Sequence, residues 1–294
     1  MTPANSSNPS PSVRLALPKG RIQAGVLDLL AAAGVSVHTG ARGYRPSLSL
    51  PGFETKLLKP QNVVEMLGAG SRDLGFVGAD WVEEKGVDLV EVLDTGLDPV
   101  RVVAAAPIAL LAAGRPPTGP LVVASEYERL TRQWMTRTGL EGSFVRTYGA
   151  TEVFPPEDAD VIVDNVATGA TLAANGLEVF DEVLRSSTRL YASPEALALP
   201  AKRAAIEGLT LLLESVLAAR SRAMLDLNVS PADVERVVEI LPCLDRPTIA
   251  GLAGQEGFAV RAAVLRSELP RLVPALKARG ASDLVVTSPE QIVR

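Results

Sequence analysis

Residues 160–177 (DVIVDNVATGATLAANGL) join a run of aliphatic side chains to a loop rich in threonine and glycine. The aliphatic run predicts a parallel strand that is buried on both faces. Asp164 falls at its carboxyl end, where open α/β sheets bind their ligands. Gly169 allows the backbone to approach a ligand closely, and Thr168 and Thr171 supply hydroxyl donors. A helix that starts near Thr171 would add the positive end of its dipole.

Two interpretations of this loop remain open on the residues alone. In the first, the loop binds a phosphate, and Asp164 accepts hydrogen bonds from a ribose diol or holds a hydrated Mg²⁺ ion. In the second, it is an ordinary turn between strand and helix, and a threonine caps the helix. The string TGAT at 168–171 is too short to decide between them.

Short aliphatic strands and amphipathic helices alternate through the first 220 residues. Strands are predicted at 13–17, 48–50, 55–58, 74–77, 89–93, 100–105, 121–124, 143–147, 160–163 and 189–192. Helices are predicted at 22–33, 62–67, 81–85, 128–138 and 200–219. The alternation predicts an α/β architecture with a mostly parallel sheet. The string RPPTGP at 115–120 predicts a loop and a hinge between two such units.

The last segment, 222–294, reads as strand, helix, strand, strand, helix, strand, which is the ferredoxin-like order. Ser230 and Pro231 predict the start of its first helix, which we expect to reach residue 241. Small domains of this kind bind regulatory ligands or mediate assembly, and a role in assembly alone remains an alternative.

Composition limits the chemistry. The formal net charge of −5 gives no basic footprint for nucleic acid. Cys243 and His38 are the only residues of their types, which argues against disulfides, zinc sites and Ser-His-Asp catalysis. A bound metal would be a hard, oxygen-ligated ion such as Mg²⁺. Residues 1–12 predict a disordered tail rather than a signal peptide, and we expect a cytoplasmic protein that does not enter membranes.

The longer string DNVATGATLAANGL at 164–177 closely resembles the phosphoribosyl-diphosphate loop of the ATP phosphoribosyltransferase family, which begins histidine biosynthesis. Four further segments resemble that family in the same order. They are LALPKGR at 15–21, DLGFVGAD at 73–80, GATE at 149–152 and the strand at 281–286. The resemblance covers essentially residues 13–294.

The resemblance implies a fold: a two-lobe catalytic core, like the type II periplasmic-binding proteins, followed by a ferredoxin-like domain. We therefore predict a tail at 1–12, a first lobe at 13–106 and 195–221, a second lobe at 107–194 and a regulatory domain at 222–294. That domain marks the long form of the family, which binds histidine as a feedback inhibitor and forms homo-oligomers, dimers or hexamers.

It also implies a reaction. N1 of ATP attacks C1 of 5-phosphoribosyl 1-diphosphate, and pyrophosphate leaves with Mg²⁺. No covalent protein nucleophile is required, so catalysis would rest on positioning two anions and neutralising the leaving group.

The family's site residues carry over onto matching positions. The catalytic residues implied are Lys19, Arg21 and Asp164. Phosphoribosyl diphosphate would be bound by Asp164, Ala167, Thr168, Gly169, Ala170 and Thr171. The nucleotide would be bound by Arg21, Gly78, Asp80, Asp94 and Glu152. Arg42 or Arg45 could assist on the phosphate side.

The chain departs from the family pattern in three places that bear on function, one of which is Ala173, where glutamate is common. Leu97-Asp98-Pro99-Val100 stands where the family usually carries basic residues, which would change the charge by about two units if the segment faces the cleft. Asn165 stands where an aliphatic residue is usual. Two alternatives therefore stay open: a divergent paralogue with another acceptor or no activity, and a two-lobe small-molecule sensor.

Overall fold

The computed structural model describes residues 12–39, 43–112, 114–116, 118–244, 246–254 and 256–293. These divide into two compact units. The first runs to Asp28 and continues from Val35 to Glu207, and the second takes Leu29–Gly34 and continues from Gly208. Arg42 lies outside the described residues. No helix in the described part of the chain is long and apolar enough to cross a membrane.

The first unit contains ten strands and most of the helices in the described ranges. The strands are β1 Val13–Pro18, β2 Val37–His38, β3 Ser47–Leu48, β4 Phe53–Leu58, β5 Leu74–Gly78, β6 Val90–Pro107, β7 Leu121–Ser125, β8 Gly142–Arg146, β9 Val161–Val166 and β10 Leu177–Ala192. The helices are α1 Gln23–Ala32, α2 Pro60–Gly68, α3 Ala79–Lys85, α4 Glu128–Thr138, α5 Ala170–Ala174, α6 Pro194–Ala198 and α7 Pro200–Arg220, of which α1 and α7 continue into the second unit. Short 3₁₀ turns lie at Ile108–Leu110 and Thr151–Val153.

Eight of these strands form one mixed sheet in the order β4-β1-β5-β10-β6-β9-β7-β8. β1 is parallel to β4 and β5, and β7 is parallel to β8 and β9. The long strands β6 and β10 pair antiparallel with each other and join these two halves. The sheet thus has two parallel halves, as predicted, but an antiparallel centre that the sequence analysis missed.

Strand β6 is longer than predicted because it continues through Gly96 and Pro99, two residues that commonly mark a chain reversal. The prediction of separate strands at 89–93 and 100–105 was wrong: a single strand spans Val90–Pro107. Gly96 and Asp98 adopt positive φ angles of 64° and 47°, and the pairing with β10 shifts register several times. Such irregularities let a strand absorb a glycine and a proline and bend without ending.

The aliphatic strand predicted at 160–163 is buried on both faces. Val161, Ile162 and Val163 are fully buried. Val161 and Val163 belong to one apolar cluster with Trp134, and Ile162 belongs to another. Packing on both faces holds β9 in position, and this determines where the loop that follows it begins.

The second unit holds the predicted ferredoxin-like domain. It contains β11 Arg222–Val229, α8 Val234–Val238, β12 Thr248–Gly251, β13 Phe258–Leu265, a 3₁₀ turn at Arg266–Glu268, α9 Leu269–Ala278 and β14 Ser282–Thr287. The four strands form an antiparallel sheet in the order β12-β13-β11-β14. With the helix between β11 and β12 and the helix between β13 and β14, this confirms the β-α-β-β-α-β topology.

Helix α8 is shorter than the predicted 231–241 helix and begins later. Ser230 does not cap it: the Ser230 hydroxyl donates to the carboxylate of Asp233 at 2.9 Å, and Asp233 is the N-cap residue. The cap-and-proline signature therefore marks the preceding turn rather than the helix start.

An ion cluster around the buried carboxylate of Asp73 ties three elements of the first unit together. The Asp73 carboxylate accepts hydrogen bonds from the Arg14 guanidinium at 2.7 and 3.0 Å and from the Lys202 ammonium of α7 at 2.7 Å. Burial would raise the pKa of Asp73, but these hydrogen bonds outweigh burial and lower it to about 2. Asp73 thus has a structural role in holding α7 against β1 and the start of β5.

We predict that Asp73→Asn lowers the free energy of unfolding at pH 7 by about 3 kcal/mol, because Lys202 keeps a buried charge without its partner. The control is Glu65→Gln, whose exposed ion pair with Lys85 is worth about 1 kcal/mol or less. Urea denaturation measures both variants. Since the Asp73 pKa is lowered from 3.8 to about 2, the native carboxylate's advantage is present above pH 3.8 and lost as the pH falls towards 2. Equal losses in the two variants would contradict the prediction.

Candidate active site

A cavity of about 370 Å³ lies at the carboxyl ends of three neighbouring parallel strands, β7, β8 and β9. Each strand contributes residues from its carboxyl end or from the turn after it. These are Glu126 after β7, Gly149, Ala150, Thr151 and Glu152 after β8, and residues 164–172 around the end of β9. This edge of an α/β sheet is where ligands bind.

The loop after β9 presents polar groups to the cavity. Gly169 has a φ angle of 81°, which favours glycine, and directly precedes α5. Thr168 and Thr171 are exposed. The Thr168 hydroxyl accepts from the Ala170 N–H at 3.4 Å, and first-turn N–H groups have no carbonyl partner within their own helix. Backbone donors and two hydroxyls are therefore available to an anion.

The turn after β8 closes another side of the cavity. Gly149 and Ala150 have positive φ angles of 99° and 48°. The buried hydroxyls of Thr147 and Thr151 form a hydrogen bond of 2.8 Å across the turn. Left-handed alanine is disfavoured and persists where the surroundings enforce it. The turn fixes Glu152 at the cavity wall.

Asp164 has a perturbed acidity. Burial raises the pKa of its carboxyl to about 6, and the nearby Glu126 and Glu152 carboxylates act in the same direction. The Asn165 N–H, which donates to Asp164 Oδ1 at 2.7 Å, opposes this rise. The ionised form of such a carboxyl is stabilised by a ligand that donates hydrogen bonds to it or carries positive charge.

A line of hydrogen bonds leads from Asp164 to Asp80. The Asn165 side-chain amide donates to the Tyr127 hydroxyl at 3.0 Å, and that hydroxyl donates to Asp80 Oδ2 at 2.7 Å. The Ser186 hydroxyl donates to Asp80 Oδ1 at 2.6 Å. Asp80 is buried and engaged by protein donors at both oxygens. Its predicted nucleotide contact stays a prediction, and the geometry favours a positioning role.

The structure brings one part of the predicted site together. The predicted residues that line the cavity are Glu152, Asp164, Ala167, Thr168, Gly169, Ala170 and Thr171. The predicted residues outside its lining are Lys19, Arg21, Gly78, Asp80 and Asp94, and Arg45 is outside it too.

Three of these residues have contacts elsewhere in the first unit. The Lys19 ammonium, at the end of β1, lies 3.6 Å from the centre of the Tyr44 ring. Asp94 accepts from the Ser187 hydroxyl at 2.7 Å and pairs with Arg189 at 3.3 Å. Gly78 ends β5 where a side chain would collide with Asp80. Their roles in binding stay predictions.

The cavity also has lining residues that the prediction did not assign to the site, namely Glu126, Gly149, Ala150, Thr151, Asn165, Val166 and Leu172. Glu126 could have been found, because it directly follows the strand parallel to β9 and strand ends meet at one sheet edge.

The unusual segment with Asp98 lies within β6, where Asp98 accepts from the Thr188 hydroxyl at 3.2 Å. It does not line this cavity.

Comparison with known proteins bears on identity. The family model "ATP phosphoribosyltransferase" matches residues 59–215, and the model "HisG, C-terminal domain" matches 219–290. The chain is 33% identical over 283 residues to the ATP phosphoribosyltransferase of Chlorobium chlorochromatii, covering 95% of this chain and 96% of that protein.

This chain belongs to the ATP phosphoribosyltransferase family. It is a phosphoribosyl-transferring glycosyltransferase of histidine biosynthesis, and the long form is confirmed by both matches. The relative from Pelotomaculum thermopropionicum is 33% identical over 278 residues, 93% of this chain and 96% of that one. A chain of the ATP phosphoribosyl transferase (HisG:HisZ) complex from Thermotoga maritima superposes with a TM-score of 0.61 at 25% identity, covering 69% of this chain and 98% of that chain.

The raised pKa of Asp164 gives a test that needs no substrate. Because the folded-state pKa of about 6 exceeds the ordinary 3.8, stability is lost as the pH rises through that window. We predict that Asp164→Asn, which cannot ionise, is more stable than the native chain at pH 7.5 by about 1–2 kcal/mol, with the gain disappearing towards pH 4.

Denaturant unfolding at both pH values measures this difference, and the exposed Asp158→Asn is the matched control. A gain that is the same at pH 4 and pH 7.5, or one that Asp158→Asn shares, would mean that the Asp164 carboxyl is not perturbed.

Proposed function

We propose that this enzyme joins N1 of ATP to C1 of 5-phosphoribosyl 1-diphosphate and releases pyrophosphate, as the first step of histidine biosynthesis. The observation that carries the proposal is the cavity at the ends of β7, β8 and β9. It combines a loop of backbone and hydroxyl donors with one carboxylate at the strand end. A ribose 5-phosphate has the complementary groups: a phosphate at one end and a diol on its ring.

In this proposal the loop holds the 5-phosphate. The hydroxyls of Thr168 and Thr171 and the N–H groups around Gly169 donate to its oxygens. Asp164 accepts from the ribose hydroxyls, which favours its charged form and reverses the rise in its pKa. The negative carboxylate then also favours positive charge on the ribose as the bond at C1 breaks.

Mg²⁺ fits this site as a companion of the diphosphate. Three carboxylates, Glu126, Glu152 and Asp164, line the cavity and no basic residue does. Within the described ranges, no group of three Asp, Glu, His or Cys side chains is close enough to form a metal cage. Mg²⁺ commonly keeps waters and substrate phosphates as ligands, so the diphosphate would be its main ligand. When bound, it neutralises charge on the leaving pyrophosphate.

The chain's own residues act by positioning. As the bond from N1 to C1 forms, the bond from C1 to the diphosphate oxygen breaks and its electron pair leaves with pyrophosphate. Lys19 and Arg21, which follow β1, are proposed to contact phosphates from the other half of the sheet. The residues proposed on the nucleotide side are Arg21, Gly78, Asp80, Asp94 and Glu152. No protein nucleophile takes part, so orientation and electrostatics supply the rate.

The activity test uses ATP, Mg²⁺ and phosphoribosyl diphosphate, and follows phosphoribosyl-ATP by its absorbance. We predict product formation by the native chain. We also predict that Thr171→Val raises KM for phosphoribosyl diphosphate by about tenfold, because a donor to the phosphate is lost, while KM for ATP changes little. The control is Thr136→Val on the exposed face of α4.

The outcomes separate the alternatives. Binding of phosphoribosyl diphosphate without product would support a divergent paralogue with another acceptor. Absence of binding would overturn the proposed function and leave the sensor hypothesis. Equal effects of the two threonine substitutions would contradict the proposal that the loop binds the 5-phosphate.

We further propose that histidine inhibits the enzyme through the ferredoxin-like domain and that the chain forms a homo-oligomer, a dimer or a hexamer. The match of residues 219–290 to the family's C-terminal domain supports both points. We predict that histidine inhibits the full chain and that deletion of residues 223–294 abolishes inhibition. The oligomeric state of both forms is measured first by light scattering, and unchanged inhibition after deletion would refute the assignment.

A further inference from the structure

Asn165 connects the carboxylate at the end of β9 to a buried hydrogen-bond system from three other parts of the first unit. Its side-chain amide donates to Tyr127 Oη at 3.0 Å and to Asp164 Oδ1 at 3.4 Å. Tyr127 precedes α4, Asp80 lies in the first turn of α3, and Ser186 belongs to β10. The system therefore links the cavity to elements on both sides of the sheet centre.

The direction of every hydrogen bond in the line is determined. Tyr127 is buried beside Asp80, and burial raises the pKa of its phenol well above the ordinary value, so the hydroxyl keeps its proton. That single proton goes to Asp80. The Tyr127 oxygen can then only accept, and the group facing it on Asn165 must be the NH₂ end of the amide. The reverse amide orientation would set two acceptors against each other.

With its NH₂ group facing Tyr127, Asn165 has a second amide hydrogen directed to Asp164 Oδ1. The Asn165 backbone N–H donates to the same oxygen at 2.7 Å. Within the described ranges, no side chain or backbone group donates to Asp164 Oδ2. One oxygen of the carboxylate is thus held by its neighbour, and the other is free for a ligand.

We propose that Asn165 is a positioning residue for Asp164: it fixes the orientation of that carboxylate and favours its charged form for binding the ribose hydroxyls. This rests on the proposed function, which assigns Asp164 to the ribose. The groups that act on Asp164 are Glu126 from the end of β7, Glu152 from the turn after β8, and Asp80 and Tyr127 through Asn165 itself. The two glutamates disfavour the carboxylate. Among the residues that the structure describes, Asn165 is the one whose side chain donates a hydrogen bond to it.

The variant Asn165→Leu tests this role with little damage to the fold. Leucine has nearly the same size, the position is only half-buried, and the hydrogen bond from Tyr127 to Asp80 remains possible. Leucine removes the amide donor to Asp164 and leaves the backbone N–H in place. The matched control is Asn62→Leu on α2, where an exposed asparagine amide also donates to a carboxylate, that of Glu65 at 3.3 Å.

The measurement is the affinity for phosphoribosyl diphosphate with Mg²⁺, determined by titration calorimetry between pH 5 and 8, together with KM for both substrates. For Asn165→Leu we expect binding at pH 7 to be weaker by about fivefold, because the charged carboxylate loses a donor. In a plot of affinity against pH, we expect the fall in affinity at acidic pH to begin about half a pH unit higher than in the native chain. KM for ATP stays within about twofold, and Asn62→Leu behaves as the native chain.

An unshifted fall in affinity at acidic pH in Asn165→Leu, with native affinity, overturns the positioning role. Equal losses for both substrates that follow a loss of stability also overturn it, since they indicate a structural role only. If the native chain binds phosphoribosyl diphosphate but forms no phosphoribosyl-ATP, the proposed reaction fails while the calorimetric shift still decides the role of Asn165. If the native chain does not bind that ligand, both ideas fail.

Discussion

The antiparallel pairing of β6 with β10 is the interaction on which the rest of the first unit depends. The two strands pair along most of their lengths, and each also borders one parallel half: β10 pairs with β5, and β6 pairs with β9. Loss of this pairing would divide the sheet into two four-stranded mixed sheets, each with a new exposed edge. It also places Ser186 of β10 beside Asp80, in the first turn of α3. The central strands thus hold the two halves in one layer and supply a member of the hydrogen-bond line.

Local patterns in the sequence predict most of the fold. Strand β9, helix α4 and the β-α-β-β-α-β order of the last segment follow from apolar runs and turn residues within a few positions of each other, although β9 continues past Asp164 to Val166. The central strands do not, because Gly96 and Pro99 signal a chain reversal that tertiary pairing overrides. The predicted start of helix α8 was wrong because the Ser230 hydroxyl donates to the Asp233 carboxylate and does not cap the helix.

In the candidate site too, features built from neighbouring residues can be predicted from the sequence, and features built from distant residues cannot. The loop at 167–171 is contiguous, so its donors can be recognised in sequence, and the neighbouring strand ends bring Glu126 and Glu152 to it. The contacts of Asp80 with Tyr127 and of Tyr127 with Asn165 join residues that are 47 and 38 positions apart. No local pattern encodes such pairs. Sequence reasoning therefore finds Asp80 as a motif residue but gives no sign that its carboxylate is enclosed by protein donors.

The charge balance of the cavity explains why an amide suits position 165. A basic side chain there would pair with Asp164 directly and satisfy its carboxylate without a ligand. The hydrogen bonds from a ribose would then contribute less free energy to binding. An aliphatic side chain would leave the carboxyl beside Glu126 and Glu152 with only one backbone donor, and more of it would be protonated. A neutral donor lies between these limits, because it favours the carboxylate without neutralising it. Under the proposed function, the remaining excess of negative charge would be met by the ribose hydroxyl donors and by Mg²⁺ held on the diphosphate.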